Sequence, residues 1–442
     1  MRFFVQKLGC PKNDVDADYI SARLIHEGHE PVTDPDQAES IIVNTCGFIL
    51  PAKEESINEI LRLGQLKKSG QLKTLYATGC LTQRYGDDLL QGIPELDGAF
   101  GHGALDSIAR AVTGKEHLEK TVKIESRKLG YLSWKDRYIS DHYPYSYLKI
   151  SDGCDRACTY CAIPLMRGKF RSRPLESIIR EATYLAAHGK KEIILVSQEA
   201  TMWGYGLDNS QTIIDLLKAL ETVEGIEWIR LMYLYPAALT TELIDYLLAD
   251  NRALPYFDLP FQHISESVLT SMRRRVDKND IERLLGYIRS TGKPATLRTT
   301  FIVGFPGETD QDFDELMEFT RKWQFERMGV FTYSPEEGTP AEQMDKQISE
   351  EIKSQRMDAL MTLQQEIAFE QNQKLVGSKI EVVIDAIDAD GMAVARSKAD
   401  CPDIDQELFI SGSDLTPGTI CTVLIESAEG YDLKGSVVKE NL

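Results

Sequence analysis

The sequence predicts an α/β protein with three successive units: an N-terminal parallel-sheet α/β domain, a partial (β/α) barrel similar to a TIM barrel, and a small antiparallel β-barrel. In residues 1–140 and 141–373, short apolar runs alternate with helix-like stretches, a pattern typical of parallel sheets. In residues 374–442, short strand-like runs are separated by Gly, Pro and Asp, which favours a small OB-like barrel. A length of 442 residues agrees with two to four domains at roughly 150 residues each.

Three strand-like runs in the first unit are each followed closely by a cysteine. The runs are Phe3–Leu8, Ser40–Thr45 and Lys73–Gly79, and the cysteines are Cys10, Cys46 and Cys80. Any one of these residues alone is most simply an inert buried thiol. Because the carboxyl ends of parallel strands meet at one edge of a sheet, where ligands bind, the three thiols together predict a site for an iron–sulphur cluster.

The loop that opens the barrel unit carries a second group of three cysteines, Cys154, Cys158 and Cys161. Their spacing is CxxxCxxC, so the thiolates either share a metal or oxidise one another. Three thiolates suit a [4Fe–4S] cluster that keeps one iron free of protein ligands, because a fully ligated cluster normally takes four cysteines. Zinc is the alternative, but zinc sites tend to use CxxC pairs separated by a longer loop.

Basic residues recur at every second position after this loop, at Arg167, Lys169, Arg171 and Arg173. As isolated charges, they indicate a solvated strand edge. Beside an anionic cluster, they would also adjust its reduction potential and hold anionic ligands.

Six strands with intervening helices are expected between about Tyr145 and Ser334, which predicts a partial or split barrel with its chemistry at the carboxyl ends of the strands. Gln262 and His263 follow the fourth of these strands. A supporting role for His263 is at least as simple an interpretation as a catalytic one.

The CxxxCxxC spacing resembles that of the radical S-adenosylmethionine (SAM) enzymes, and Tyr160 fits the aromatic residue of that family before the third cysteine. The resemblance implies that SAM chelates the open iron and that one electron splits SAM to give a 5′-deoxyadenosyl radical. It also implies SAM contacts after two barrel strands, at Gln198, Glu199, Gly304 and Gly307. The family more often has Asp-Thr where Glu199-Ala200 stand here.

Motifs across nearly the whole chain resemble the methylthiotransferase family: KLGCPKN, NTCGFI, GCLTQRY, QHIS and YSPEEGTPA, together with the central cysteine loop. The resemblance implies a methylthiotransferase domain at residues 1–140, a radical SAM domain at 141–373 and a TRAM domain at 374–442. It further implies two [4Fe–4S] clusters, one of them an auxiliary cluster held by Cys10, Cys46 and Cys80. Cys401 stands where the TRAM signature usually has Ala, so Cys401 and Cys421 are expected to be core or surface thiols.

Within this family, the CPKN and GFI segments are similar to the RimO branch, which methylthiolates the β-carbon of an aspartate in small-subunit ribosomal protein S twelve (uS12). A transfer-RNA adenosine methylthiotransferase is the nearest alternative, because it shares every cysteine. An iron–sulphur electron carrier is an alternative from another class, but a carrier needs neither an open iron nor a barrel. The implied partners are uS12, an electron donor and a sulphur donor.

Charge separates these alternatives. The formal net charge of −19 disfavours tight binding to bare nucleic acid, including transfer RNA, and permits a basic protein partner. The segment Lys374–Leu442 holds six basic and thirteen acidic residues, a net of −7. No apolar run approaches the roughly 20 residues that span a bilayer. The absence of an apolar signal segment and the use of eight cysteines predict a cytoplasmic protein without disulfides.

Overall fold

A six-stranded parallel sheet forms the first domain of the computed structural model, which describes residues 1–114, 121–124, 137–139, 142–208, 210–412 and 415–438. Its elements are β1 (Arg2–Lys7), α1 (Pro11–His26), β2 (Glu30–Pro31), β3 (Ser40–Thr45), α2 (Leu50–Lys68), β4 (Thr74–Gly79), α3 (Cys80–Gly92), β5 (Gly98–Gly101), α4 (Leu105–Val112) and β6 (Thr121–Lys123). The strand order is β2-β1-β3-β4-β5-β6, and every pairing is parallel.

The centre of this sheet follows directly from the sequence. Strand β3 (SIIVNT) is buried at all six positions, as expected for a parallel strand covered by helices on both faces. Helix α1 begins at Pro11, a residue favoured at the first helical position because its missing N–H has no intrahelical partner there. The predicted boundary between residues 140 and 141 lies outside the described part of the chain.

The second domain contains six parallel strands in two groups of three. Its elements are β7 (Tyr145–Lys149), β8 (Ser151–Asp152), α5 (Ile163–Arg167), β9 (Arg171–Ser172), α6 (Leu175–Ala187), β10 (Glu192–Val196), α7 (Ile213–Glu221), β11 (Trp228–Leu231), α8 (Thr241–Leu247), β12 (Tyr256–Asp258), α9 (Glu266–Ser271), α10 (Lys278–Ser290), β13 (Thr296–Val303), α11 (Asp310–Trp323) and β14 (Arg327–Thr332). The sheets are β11-β10-β7 and β12-β13-β14, whereas β8 and β9 form an antiparallel pair. Backbone hydrogen bonds such as Leu234 N to Asp258 O, at 3.0 Å, join the two groups. The predicted partial barrel is confirmed.

A long helix, α12 (Glu350–Leu375), leads into a closed five-stranded barrel. Its strands are β15 (Lys379–Ile387), β16 (Ala393–Ser397), β17 (Leu408–Ser411), β18 (Ile420–Glu429) and β19 (Asp432–Val437), in the order β15-β16-β17-β19-β18. The predicted small barrel is confirmed, with one difference: β17 and β19 pair in parallel, while the other pairs are antiparallel. Within the described ranges, no helix has the length and apolar character needed to cross a bilayer.

Buried ion pairs join the C-terminal barrel to the second domain. Arg396 contacts Glu192 of β10 at 2.8 Å and Asp385 of its own barrel at 2.5 Å. Asp400 pairs with Arg327, and Asp405 accepts a hydrogen bond of 2.5 Å from the Tyr256 hydroxyl. Three acidic residues of the C-terminal segment, Asp385, Asp400 and Asp405, are therefore internal counter-ions, so the net charge of −7 overstates the acidity of its surface.

We expect the substitution Arg396→Ala to lower the free energy of unfolding of this interface by about 3–5 kcal/mol, because it leaves the Glu192 and Asp385 carboxylates buried without their cation. Lys398→Ala is the matched control, since Lys398 pairs with Glu381 at the surface, and it is expected to change stability by at most about 1 kcal/mol. Urea unfolding with proteolytic detection of the released C-terminal barrel measures both. Equal stabilities of the two variants would contradict this account of the interface.

Candidate active site

The three cysteines of the first domain lie together at the carboxyl edge of its sheet. Cys10 is the N-cap of α1, Cys46 directly follows β3, and Cys80 is the first residue of α3. Gly9 has a φ of +87°, and a Cβ at that position would lie 2.9 Å from the Cys46 sulphur, so a side chain there would separate the two loops. The strand ends thus bring together the thiols that the sequence placed at one edge.

Burial and mutual repulsion govern the protonation of these thiols. Burial, with repulsion from Cys80 and Cys10, raises the pKa of Cys46 to about 12. Burial also raises the pKa of Cys80, although the Arg167 guanidinium opposes that shift. Burial therefore favours the protonated form of Cys46 and Cys80, and a metal that binds them must displace their protons.

The central loop gathers the second group of cysteines beside the first helix of the barrel domain. The pairing of β8 with β9 closes the loop, and the Cys154 N–H donates a hydrogen bond of 3.0 Å to the Gly168 carbonyl. Burial is the largest cause that raises the pKa of Cys154 to about 11 and of Cys161 to about 12, and repulsion from Cys158 adds to both. An open cavity of about 330 Å³ lies beside Cys154.

Each group supplies three thiols, the ligand set of a [4Fe–4S] cluster that keeps one iron free of protein ligands. In the part of the chain that the structure describes, no three His, Cys, Asp or Glu side chains converge on one metal position. Each thiolate of a [4Fe–4S] cluster binds a different iron, so its three ligands surround the cluster from separate points.

Two arginines at the mouth of the barrel contact the central loop. Arg156, inside the CxxxCxxC sequence, pairs with the Glu199 carboxylate at 2.8 Å. Arg274 donates to the Cys158 sulphur at 3.7 Å and to the Pro260 carbonyl at 2.7 Å. The Tyr235 ring contacts both guanidinium groups, with its centroid 4.1 Å and 4.5 Å from their central carbons. Cationic groups are thereby fixed next to the thiols, where an anionic cluster would bind.

The four predicted SAM contacts occupy different environments. Gln198 follows β10, and its buried Oε1 atom has no hydrogen-bond partner within the described structure. Glu199 is held by Arg156 and also accepts a hydrogen bond from the Thr201 hydroxyl. A Cβ on Gly304 would lie 2.2 Å from the Lys353 side chain of α12, and the Gly307 N–H donates a hydrogen bond of 3.0 Å to Lys346. Helix packing and a turn thus account for the two glycines, while Gln198 and Glu199 border the loop.

His263 is buried completely, and burial lowers its pKa to about 3, so the imidazole is neutral. Its Nδ1 atom accepts a hydrogen bond of 3.0 Å from the Ser265 N–H. This arrangement agrees with the supporting role that the sequence allowed.

Arg167 links the helix that follows the second group of cysteines to the first group. It ends α5, the helix that follows Cys161, and is only 2% exposed. Its guanidinium donates to the Cys80 sulphur at 3.3 Å, to Asp16 at 2.8 Å and to Asn13 at 2.7 Å, so it spans from the barrel domain to the first domain. The interpretation of this basic stretch as a solvated strand edge is wrong for Arg167 and Arg173, because the first domain covers both.

Further ion pairs hold this interface closed. Asp16 also contacts Lys149 at 2.7 Å, and the Tyr19 hydroxyl of α1 donates a hydrogen bond of 2.5 Å to Glu181 of α6. Another ion pair between the same two domains joins Arg84 of the GCLTQRY motif to Glu336 of the YSPEEGTPA motif at 2.8 Å. Two separate motifs of the sequence are therefore the two halves of one interdomain contact.

Several residues of this site went unrecognised in the sequence, namely Lys12, Arg156, Tyr233, Tyr235 and Arg274. The position of Arg156 between two cysteines was a usable signal. The other four are brought to the barrel mouth only by tertiary contacts.

We expect Arg167→Ala to speed amide hydrogen exchange in α1 and α5 and to destabilise the interface by about 3 kcal/mol, because it removes the donor from three buried acceptors of the first domain. The exposed neighbour Lys169 supplies the control, and Lys169→Ala is expected to leave exchange unchanged. If the two variants exchange alike, Arg167 does not hold the domains together.

Comparison with known proteins follows the same three-part division. Residues 148–320 match the radical SAM superfamily, residues 2–101 match the uncharacterized protein family UPF0004, and residues 376–438 match the TRAM domain. The radical SAM match implies an iron–sulphur cluster and SAM as cofactors.

Solved structures with low sequence identity share the fold. The radical SAM methyltransferase TsrM from Kitasatospora setae, bound to tryptophan and a SAM analogue, superposes with a TM-score of 0.57 at 13% identity, over 84% of this chain and 90% of its own. The cobalamin-dependent radical enzyme OxsB gives a TM-score of 0.54 at 14% identity, over 77% of this chain and 54% of its own. These likenesses concern the fold alone.

Relatives of full length are much more similar. The ribosomal protein uS12 methylthiotransferase RimO of Clostridioides difficile strain 630 is 41% identical over 441 residues, covering 100% of this chain and 99% of the relative. RimO of Thermosipho africanus is 43% identical over 440 residues and covers 100% of both chains. RimO of Pelotomaculum thermopropionicum is 44% identical over 439 residues, covering 98% of each. The chain therefore belongs to the RimO family of radical SAM methylthiotransferases.

Proposed function

We propose that this enzyme inserts a methylthio group at the β-carbon of an aspartate in ribosomal protein uS12. The observation that carries the proposal is that Arg167, at the end of the helix after the second group of cysteines, donates a hydrogen bond of 3.3 Å to the Cys80 sulphur of the first group. A saturated carbon has no acidic proton and no leaving group, so acid–base catalysis is ineffective there. One site for generating a radical and a neighbouring site for holding sulphur meet the two requirements of the reaction.

In this proposal, Cys154, Cys158 and Cys161 hold the cluster that cleaves SAM, and Cys10, Cys46 and Cys80 hold the auxiliary [4Fe–4S] cluster. When bound, the first cluster supplies the electron for reductive cleavage of SAM, and the auxiliary cluster offers an open iron for the sulphur to be transferred. By analogy with the family, one SAM supplies the methyl group and another the radical. The enzyme also needs an electron donor and a sulphur donor.

The residues of this chain exclude water and orient the reactants. Gln198 has a buried, unpartnered carbonyl oxygen that is suited to accept a hydrogen bond from the SAM amino group. Glu199 is the second candidate for that group, because Arg156 holds its carboxylate against the cysteine loop. Backbone groups at Gly304 and Gly307 remain candidates for contacts with the adenosine or the carboxylate of SAM.

The three domains would divide this work. Residues 1–140 would carry the auxiliary cluster, residues 141–373 the radical chemistry, and residues 374–442 the docking of substrate. The C-terminal barrel has an acidic group formed by Asp403, Glu407 and Asp432. Burial is the largest cause that raises the pKa of Glu407, and repulsion from Asp432 and Asp403 adds to it. Such a surface attracts a basic ribosomal protein and repels transfer-RNA phosphates. We place the enzyme in the cytoplasm, where this substrate is made.

Anaerobic reconstitution is expected to give close to eight irons per chain, from the four irons of each cube. Replacing Cys154, Cys158 and Cys161 with Ala should remove about half of that iron and all SAM cleavage. Replacing Cys10, Cys46 and Cys80 should leave 5′-deoxyadenosine release measurable but abolish methylthio insertion. Iron analysis and product chromatography check both variants. SAM cleavage by the first variant, or normal product from the second, would overturn the assignment.

Substrate choice is tested by mass spectrometry of isolated uS12 and of transfer RNA after incubation with the reconstituted enzyme. Only uS12 should gain the methylthio mass. Reversing Glu407 and Asp432 to Lys should slow modification several-fold at low salt and less at high salt, since screening weakens steering. Glu366→Lys with Glu370→Lys, on the exposed face of α12, makes the same change in net charge elsewhere and should have little effect. Methylthiolated transfer RNA in place of uS12 would refute the proposal.

A further inference from the structure

Lys12 is a buried cation at the barrel mouth. It lies in the first turn of α1 with 8% of its surface exposed, and its Nζ atom is 3.5 Å from the centroid of the Tyr233 ring. No carboxylate of the described residues lies within 4 Å of this ammonium. Burial of a charge is unfavourable unless an opposite charge accompanies it, so this position suits an anion from outside the chain.

The other cations near the cysteine loop have partners within the protein. Arg156 pairs with Glu199, and Arg274 contacts the Cys158 sulphur and the Pro260 carbonyl. Lys12 packs on the aromatic face of Tyr233, and none of the carboxylates in the described part of the chain pairs with it. It therefore differs from its neighbours in having capacity for a further ion pair.

The backbone of Tyr233 gives an independent indication. Its φ of +62° is a left-handed conformation that bulky residues rarely adopt. Two hydrogen bonds enforce it: the Tyr233 N–H donates to Asp258 at 2.9 Å, and its carbonyl accepts from the Ala200 N–H at 3.1 Å. Gln262, after the next strand, also has a positive φ, of +76°. Strain of this kind is retained where a side chain must be aimed, and here it holds the Tyr233 ring beneath Lys12.

We propose that Lys12, positioned over Tyr233, binds the side-chain carboxylate of the substrate aspartate. The inference rests on the proposed function and identifies the group that recognises the residue to be modified. An ion pair to this carboxylate fixes the adjacent β-carbon at the barrel mouth beside Cys10, because a single carbon–carbon bond joins the β-carbon to the carboxylate. It also predicts discrimination against asparagine, whose neutral amide would leave the ammonium unpaired.

The test compares binding of two forms of uS12 to the reconstituted enzyme without reductant, so that no turnover occurs. One form carries the target aspartate and the other has asparagine in its place. The wild-type enzyme should bind the aspartate form on the order of 10- to 100-fold more tightly. Lys12→Gln should bind both forms equally, with unchanged iron content. Lys12→Met repeats the test with a side chain of similar length. Lys218→Gln, at an exposed lysine 6.0 Å from the Tyr246 ring, should keep the wild-type preference.

Two outcomes would overturn the inference while leaving the proposed function intact. In one, the Lys12 variants keep the preference for aspartate. In the other, they lose iron and weaken binding of both forms alike, which would make Lys12 a counter-ion of the auxiliary cluster. A wild-type enzyme that binds neither form would instead refute the proposed function, and this inference with it.

Discussion

The guanidinium of Arg167 is the interaction on which the arrangement of the active site depends. It is attached to the helix that follows the central cysteine loop, yet three of its hydrogen bonds end on the first domain. Because one of these reaches the Cys80 sulphur, this side chain ties the helix after the second group of cysteines to the first group. The contact between the domains therefore also positions the cysteine groups relative to each other.

Buried ion pairs, rather than apolar contacts alone, specify how the three domains meet. Asp152, fully buried below the first interface, shows the strength of the field there: burial alone would raise its pKa, but Lys149 and Arg167 hold it well below its usual range. At the second interface, Arg230 and Arg396 likewise hold the pKa of the buried Glu192 below its usual range. Such pairs need correct geometry to offset desolvation, so they disfavour other relative orientations of the domains.

The sequence was sufficient for features set by local rules. The positions of Cys10, Cys46 and Cys80 followed from the rule that parallel strands end at one edge. Strands β5 and β6 were not predicted, because runs of four and three residues give little periodicity. The parallel pairing of β17 with β19 depends on contacts between distant segments.

The difference between local rules and contacts between distant segments also explains which features of the active site the sequence did not reveal. An alternating basic stretch is identical in sequence whether it faces water or another domain, so the burial of Arg167 and Arg173 was not visible before the first domain was placed against the barrel. Likewise, the packing of Gly304 against Lys353, 49 positions later, was not visible in the sequence, and its predicted contact with SAM stays a prediction. Lys12 lies in the CPKN segment that indicated the branch of the family, but its own role was not recognised, because it depends on the absence of a nearby carboxylate.

The most direct test of the central claim is the anomalous diffraction of iron in crystals of the reconstituted enzyme. The account predicts two separate four-iron sites, one bonded to the sulphurs of Cys10, Cys46 and Cys80 and the other to those of Cys154, Cys158 and Cys161, with the Arg167 guanidinium between them. A single cluster, or one ligated by cysteines from both groups, would contradict it.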